Sequence, residues 1–250
     1  MTGAPASWLL FLACAFGAEI VGTMAGFGAA TILTPVAVFF MDMKTAVAVV
    51  TCFHLFGNAS RLVFFGRRIR WNVWAQFGLT GVACSLAGAL VTVRLSSPAI
   101  MLAFGLFLLL YVGSVFLPST ALRLPSSART LVGGGALSGF VAGLLGTGGA
   151  IRSACLLVFG LPKEAYLGTS ASIAFMLDAT RLPVYVAEGF LPMSFAPIVV
   201  GLVGVAFAGA WVGQRLVRRV SEAAFRRGVL ALLALLGLKM VVDGWRALAG

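Results

Sequence analysis

Long apolar segments fill almost the whole of this chain and leave no stretch that could fold as a soluble domain. Eight of them follow one another, at about Trp8–Phe40, Ala46–Phe65, Val73–Val93, Pro98–Leu117, Thr130–Gly160, Tyr166–Ala187, Pro192–Arg215 and Ala223–Val242. A membrane-spanning helix needs about 20 apolar residues. Only 10% of the residues are charged, whereas soluble domains carry about 25%. We therefore predict an all-α polytopic membrane protein.

The sequence also contains two copies of one unit, offset by 120 residues. This offset aligns the motif GFGAA at 26–30 with GTGGA at 146–150. It also aligns NASRL at 58–62 with DATRL at 178–182. Because matches at one constant offset and in one order are the signature of an internal repeat, we predict two homologous halves.

A polar stretch with proline and serine marks the boundary between the halves. We predict a first transmembrane repeat at 1–117, a cytoplasmic connector at 118–129 and a second transmembrane repeat at 130–250. The leading apolar segment of each repeat has about 30 residues, which is too many for one upright helix. Glycines at Gly26–Gly28 and Gly146–Gly149 interrupt these segments and let the backbone turn. Each repeat is thus predicted to hold a glycine-broken pair of half-helices and three transmembrane helices.

The basic residues decide how the two repeats are oriented. If each repeat crosses the membrane four times, the repeats are parallel, and eight basic residues lie on one side against six on the other. If each leading segment enters and leaves on the same side, eleven lie inside and three, Lys44, Arg94 and Arg246, lie outside. Basic residues collect in cytoplasmic loops, so we predict inverted repeats with both termini on the outer, periplasmic side. No cleaved signal is expected, because Met1 to Ser7 has no basic residue.

The two glycine breaks are the first candidates for a substrate site. A half-helix that begins inside the membrane presents free N–H groups and the positive end of its dipole, which together favour an anion. The residues predicted to form this site are Gly26, Phe27, Gly28, Ala29, Thr31, Gly146, Thr147, Gly148 and Gly149. The alternative is that the glycines only allow close helix packing. Two matched clusters in equivalent segments favour the anion site.

A second candidate is the polar motif that both repeats share. Asn58 and Arg61 correspond to Asp178 and Arg181, and a spacing of three places each pair on one helix face. Arginine at membrane depth is costly and usually functional, so all four residues are predicted to bind the anion. Two alternatives stay open: Asp178 could hold Arg181 in an ion pair without a substrate role, and Arg61 could extend to the aqueous interface.

Three further polar residues lie in apolar surroundings. Glu19 is a candidate for proton coupling, because an isolated buried carboxylate can carry a proton; packing against a hydroxyl or amide is the alternative. Arg152 either attracts the anion or faces the loop that follows. His54 has no obvious partner in the sequence, and we interpret it as a packing residue.

Motifs for catalysis and for cofactors are missing. The sequence has no HExxH, no GxxxxGK[ST] and no GxSxG. A single histidine and four cysteines without a CxxC pair give no metal site. We expect no enzyme, no metal and no cofactor, so transport would be secondary or channel-like. The net charge of +11 is assigned to cytoplasmic loops and not to a nucleic-acid partner.

The segments GTMAGFGAATILTP at 22–35 and GLLGTGGAIRSACLL at 143–157 carry a family resemblance. Together with the paired polar motifs, they resemble the TauE/SafE family of sulfite and organosulfonate exporters, also called the toluene sulfonate uptake permease family. The resemblance implies an exporter of small anions such as sulfite, sulfoacetate or other organosulfonates in the bacterial plasma (inner) membrane. Its surroundings would be lipid, and a homo-oligomer is left open. The second copy departs from the first by placing Arg152 where the first has Ile32. The alternative function is an importer or channel for another small solute on the same fold.

Overall fold

The computed structural model describes residues 5–25, 28–116, 124–216 and 222–249, and within these ranges the regular structure is entirely helical. Ten α-helices follow one another: α1 (Pro5–Ala25), α2 (Ala30–Ala37), α3 (Met43–Phe65), α4 (Trp71–Arg94), α5 (Ser97–Val115), α6 (Ala128–Leu145), α7 (Gly149–Leu157), α8 (Lys163–Ala187), α9 (Ala196–Leu216) and α10 (Glu222–Ala249). Among the described helices, seven are long and apolar enough to cross a membrane. The predicted all-α polytopic membrane protein is thus confirmed.

The leading segment of each half is broken as predicted, but its two arms are unequal. The first arms, α1 and α6, have 21 and 18 residues, which is the length of a full membrane span. The second arms, α2 and α7, have only 8 and 9 residues. The prediction of half-helices is therefore correct for the second arm and wrong for the first. The reason is that the glycines lie past the midpoint of each segment and leave room for a complete helix before them.

The first leading segment folds back on itself. Gly28 has φ +90°, a conformation that glycine adopts at little cost, and its N–H donates to the carbonyl of Gly22 at 3.3 Å. Farther from the break, the rings of Phe11 and Phe40 lie 5.3 Å apart. Since residues after the break pair with progressively earlier residues of α1, α2 returns antiparallel to α1.

The second leading segment makes the same reversal. Gly146, with φ +81°, ends α6 in the left-handed conformation typical of a helix C-terminus. The hydroxyl of Ser138 donates to the carbonyl of Gly148 at 2.8 Å, and a Cβ on Gly134 would lie 2.5 Å from the Sγ of Cys155. α7 therefore runs back along α6, as α2 does along α1.

Each half packs one of its helices against the leading helix of the other half. In α4, Thr80 and Thr92 donate to the carbonyls of Val132 and Gly143 of α6, at 3.2 and 3.1 Å, so these two helices run parallel. α9 packs parallel to α1 in the same manner, with Trp8 in edge contact with Phe195 at 5.5 Å. Small residues at these interfaces let the helix backbones approach closely. Each half thus contributes one helix that packs against the leading helix of the other.

The equivalent helices α3 and α8 pack against each other at the centre in opposite directions. Beyond the end of α3, Arg68 lies 3.5 Å from Glu164 at the start of α8. At the other end, the ammonium of Lys44 near the start of α3 lies 4.9 Å from the ring centroid of Phe190, just after α8. The two helices that carry the repeated polar motifs therefore cross face to face.

Candidate functional site

The two glycine breaks lie next to each other in the folded protein. The hydroxyl oxygens of Thr31 and Thr147 are 2.7 Å apart, and both side chains are buried. His54, near the middle of α3, lies against the first break, since a Cβ on Gly28 would be 2.6 Å from its Nε2. Gly26 and Phe27 lie outside the described residues. The breaks are therefore neighbours near the middle of the central helices.

A cavity of about 460 Å³ opens beside the first break, at the end where α3 finishes and α8 begins. Its lining comes from α1, the first break, α3, α7, α8 and α9: Gly22, Thr23, Met24, Gly28, Asn58, Arg61, Phe65, Arg152, Lys163, Glu164, Tyr166, Leu167, Ser170, Ala171 and Gln214. The bases Arg61, Arg152 and Lys163 outnumber the one carboxylate in this lining. The cavity is thus basic, although it is bounded by membrane-spanning helices.

Only part of the predicted site lines this cavity. Gly28, Asn58 and Arg61 do so. The other predicted residues that the structure describes lie outside its lining, namely Ala29, Thr31, Gly146, Thr147, Gly148, Gly149, Asp178 and Arg181. All eight are buried in the packing around the two breaks and the middle of α8. The asymmetry arises because the cavity opens on the side of the first break.

Arg61 is held by a network from α1. Its guanidinium pairs with the carboxylate of Glu19, which is fully buried. It also donates to the hydroxyl of Thr23 at 3.0 Å and to the amide oxygen of Asn58 at 3.1 Å. Glu19 is therefore not an isolated carboxylate, and that interpretation is wrong. The sequence did not show this partner because the two residues are 42 positions apart. The charge of Arg61 is largely balanced before any ligand binds.

Arg152 has no such balance. This residue of α7 is 4% exposed, and its Nε donates to the hydroxyl of Ser170 at 3.0 Å. Within the described ranges, no carboxylate lies within ion-pair distance of it, and the ion pairs that form there involve other bases. A buried guanidinium without a counter-charge is costly in a medium of low dielectric constant. Arg152 therefore gives the cavity an uncompensated positive charge.

Arg181 makes contacts that belong to the scaffold. It is 1% exposed, and its guanidinium pairs with Asp178 at 2.6 Å. It also donates to the carbonyl of Gly146 at 3.1 Å and to that of Ala142. These two carbonyls belong to the last turn and the C-cap of α6; that of Ala142 also accepts from the N–H of Gly146 at 2.8 Å. The arrangement matches the alternative in which Asp178 holds Arg181 in an ion pair.

His54 has a partner that the sequence did not reveal. Its Nδ1 lies 2.8 Å from the Oδ2 of Asp178, so it has a partner on the neighbouring helix. Among the described residues, nothing is hydrogen-bonded to its Nε2, which is buried against Gly28. The spacing of His54, Asn58 and Arg61 was the available signal, since residues four and three apart share a helix face.

Gly148 is required by packing at the second break. A Cβ at this position would overlap the carbonyl oxygen of Ser138 and lie 3.1 Å from the side chain of Ala142. We expect Gly148→Ala to lower the free energy of unfolding by about 1–3 kcal/mol, the usual cost of overpacking. Thermal unfolding in detergent measures the effect. Gly133→Ala is the matched control, because its Cβ would meet nothing within 4 Å; equal stability of both variants would contradict the packing role.

Known proteins resemble the chain over the region that holds this site. The family model described as sulfite exporter TauE/SafE matches residues 10–240, which include both breaks and every charged group described above. A stretch of 98 residues, 38% of the chain, is 37% identical to an Arabidopsis thaliana protein named sulfite exporter TauE/SafE family protein 3. The match covers only 20% of that relative's length. No solved structure matches the chain.

Proposed function

Because the chain belongs to the sulfite exporter TauE/SafE family, whose members are transporters and not enzymes, we propose that it exports small anions such as sulfite, sulfoacetate or other organosulfonates. Transport is secondary, driven by gradients. An inside-negative membrane potential favours the exit of an anion by about 2.3 kcal/mol per charge per 100 mV.

The observation that carries this proposal is the uncompensated charge of Arg152. An anion in the cavity supplies the counter-charge that the protein does not provide, so binding removes the cost of burying this guanidinium. The amide of Asn58 and the hydroxyl of Ser170 lie in the same lining and can complete the coordination. The cavity volume of about 460 Å³ is typical of small-molecule sites. It leaves room for an organic group attached to the anionic head.

The anion binds near the middle of the membrane, between two inverted repeats. Three features support this part of the proposal: the antiparallel packing of α3 and α8, the reversal of both leading segments, and the 2.7 Å contact between Thr31 and Thr147. Inverted repeats with broken helices are a frequent design of secondary transporters. In this arrangement 1–117 and 130–250 are the two repeats.

The cavity opens toward the cytoplasm. Its mouth lies where α3 ends and α8 begins, and the bases Arg67, Arg68, Arg70 and Lys163 are clustered at these two helix ends. Cytoplasmic loops are the basic ones in membrane proteins. The connector at 118–129 then lies in the cytoplasm and both termini lie in the periplasm of a bacterial inner membrane. An exporter would load its substrate from this side.

Flux from proteoliposomes tests the function. We expect vesicles loaded with labelled sulfite or sulfoacetate to release the anion faster than protein-free vesicles do. The rate should saturate with anion concentration and rise when a potassium diffusion potential makes the interior negative. Flux that rises linearly without saturation would indicate a channel. No release of any sulfur oxyanion or sulfonate by protein that is monodisperse and helical would overturn the proposal.

A further inference from the structure

We propose that His54 carries a proton together with the anion, so that export is coupled to proton movement; this inference rests on the proposed function. It moves the proton-carrying role expected of Glu19 to a residue that the sequence had marked only as packing. The geometry around the two ring nitrogens of His54 is the starting point.

The two nitrogens of His54 have different surroundings. Nδ1 lies 2.8 Å from the Oδ2 of Asp178, which also accepts from the amide of Asn58 at 3.3 Å. Since a carboxylate only accepts hydrogen bonds, Nδ1 keeps its proton and donates it to Asp178. Nε2 is buried and without a partner among the described residues. The proton that comes and goes is therefore the one on Nε2.

Nε2 lies at the edge of the proposed anion site. It is in contact with Gly28, and Gly28 lines the cavity. A protonated Nε2 would place a positive charge directly behind Gly28, the residue of the first break that lines the cavity. The imidazole can accept a proton at this ring nitrogen and then becomes a cation with two N–H donors.

The charges around His54 favour protonation of Nε2 only when an anion is bound. The charged groups around His54 are Asp178 of α8 with its partner Arg181, and Glu19 of α1 with its partner Arg61. Arg152 of α7 joins this cluster through its electrostatic interactions with Asp178, Arg61 and Arg181. α2 and α5 carry no charged residue, and the only charge on α9 lies in its last turn. Asp178 with Arg181, and Glu19 with Arg61, form two ion pairs. Arg152 alone is left without a counter-charge.

Two carboxylates and three guanidiniums leave this cluster with one excess positive charge, and a proton on His54 in the empty cavity would add a second. A bound anion makes this protonation favourable, because it attracts both the guanidinium of Arg152 and the protonated imidazole of His54. Anion binding therefore favours protonation of Nε2, and by linkage protonation raises the affinity for the anion by the same factor. When the anion leaves, the proton becomes unfavourable again and leaves with it. The proton and the anion thus move in the same direction.

Glu19 is less suited to this role. Its carboxylate is held by Arg61 and also accepts from the hydroxyl of Thr23 at 3.2 Å. Protonation would break this ion pair and leave Arg61 without its counter-charge, whereas protonation of His54 strengthens the existing contact with Asp178.

Proteoliposomes that contain a trapped pH-sensitive dye test the inference. The probe is sulfoacetate, which stays fully ionised near neutral pH, so that any proton movement belongs to the protein. In wild type, outward sulfoacetate flux should carry protons out. In His54→Asn, whose amide can still donate to Asp178, sulfoacetate should still move down its gradient, while the proton flux falls to the level of protein-free vesicles. Cys52→Ser, two positions away on α3, is the matched control and should keep both fluxes.

Three results would overturn the inference. The first is wild-type sulfoacetate flux without proton movement, which leaves the proposed function intact. The second is unchanged proton flux per anion in His54→Asn. The third needs no variant: wild-type protein in weakly buffered detergent solution should take up protons when sulfoacetate is added, and no uptake would contradict the linkage. A wild type that transports neither sulfite nor any sulfonate fails at the earlier step and removes the proposed function as well.

Discussion

Replacing Arg152 with glutamine is expected to weaken sulfite or sulfoacetate binding by about 10-fold to 100-fold, since a hydrogen bond to a charged group contributes about 1.5–3 kcal/mol. The change removes the one buried base of the cavity that has no carboxylate partner among the described residues. The glutamine amide can still reach toward Ser170, so the local packing is retained. Calorimetric titration in detergent and the KM of flux from proteoliposomes measure the loss.

Stability separates this binding role from a structural one. Removing a buried charge that lacks a partner should leave the free energy of unfolding unchanged or increase it, so Arg152→Gln is expected to unfold no earlier than wild type. Arg152→Lys keeps the charge but loses the planar fork of donors, and its affinity should be intermediate. Arg94→Gln, an exposed base at the end of α4, is the charge-matched control. Wild-type affinity in Arg152→Gln would contradict the proposed site.

The helices could be predicted from the sequence because the bilayer fixes their length. Segment ends proposed from apolarity alone agree with the observed helices within a few residues, as for Ala46–Phe65 against α3 (Met43–Phe65) and Val73–Val93 against α4 (Trp71–Arg94). The exception is α10, which continues to Ala249 through polar residues that a hydropathy pattern does not count. Helix formation there follows from local hydrogen bonding, which continues after the apolar face ends.

The site was harder to predict, because spacing along a helix shows which residues share a face and not what that face meets. The hydrogen-bond partner of His54 is Asp178, which is 124 residues away in sequence. Arg152 is informative for the opposite reason, since it meets no carboxylate in the described part of the chain. The repeat placed Arg61 and Arg181 in equivalent positions, yet only Arg61 lines the cavity. Residues at equivalent positions of the repeat therefore have different surroundings in a conformation whose cavity opens on one side only.

Arg181→Met is expected to lower the free energy of unfolding by about 3–5 kcal/mol, the usual cost of removing one partner of a buried ion pair. Asp178 is 2% exposed and would keep only His54 and Asn58 as donors. The carbonyl of Gly146 would lose the guanidinium as a donor, and that of Ala142 would keep only the N–H of Gly146. Thermal or denaturant unfolding in detergent should therefore show a clearly earlier transition than in wild type.

A second substitution shows whether the loss comes from the unpaired carboxylate. Asp178→Asn combined with Arg181→Met removes both charges, so the double variant should recover part of the stability that Arg181→Met alone loses. Affinity provides the opposing test, because the repeat had predicted Arg181 as an anion ligand. If Arg181→Met unfolds like wild type but no longer binds sulfoacetate, Arg181 contacts the substrate and the scaffold role is wrong. If stability falls and the surviving folded protein binds sulfoacetate normally, the anion is held by Arg152 and the other residues that line the cavity.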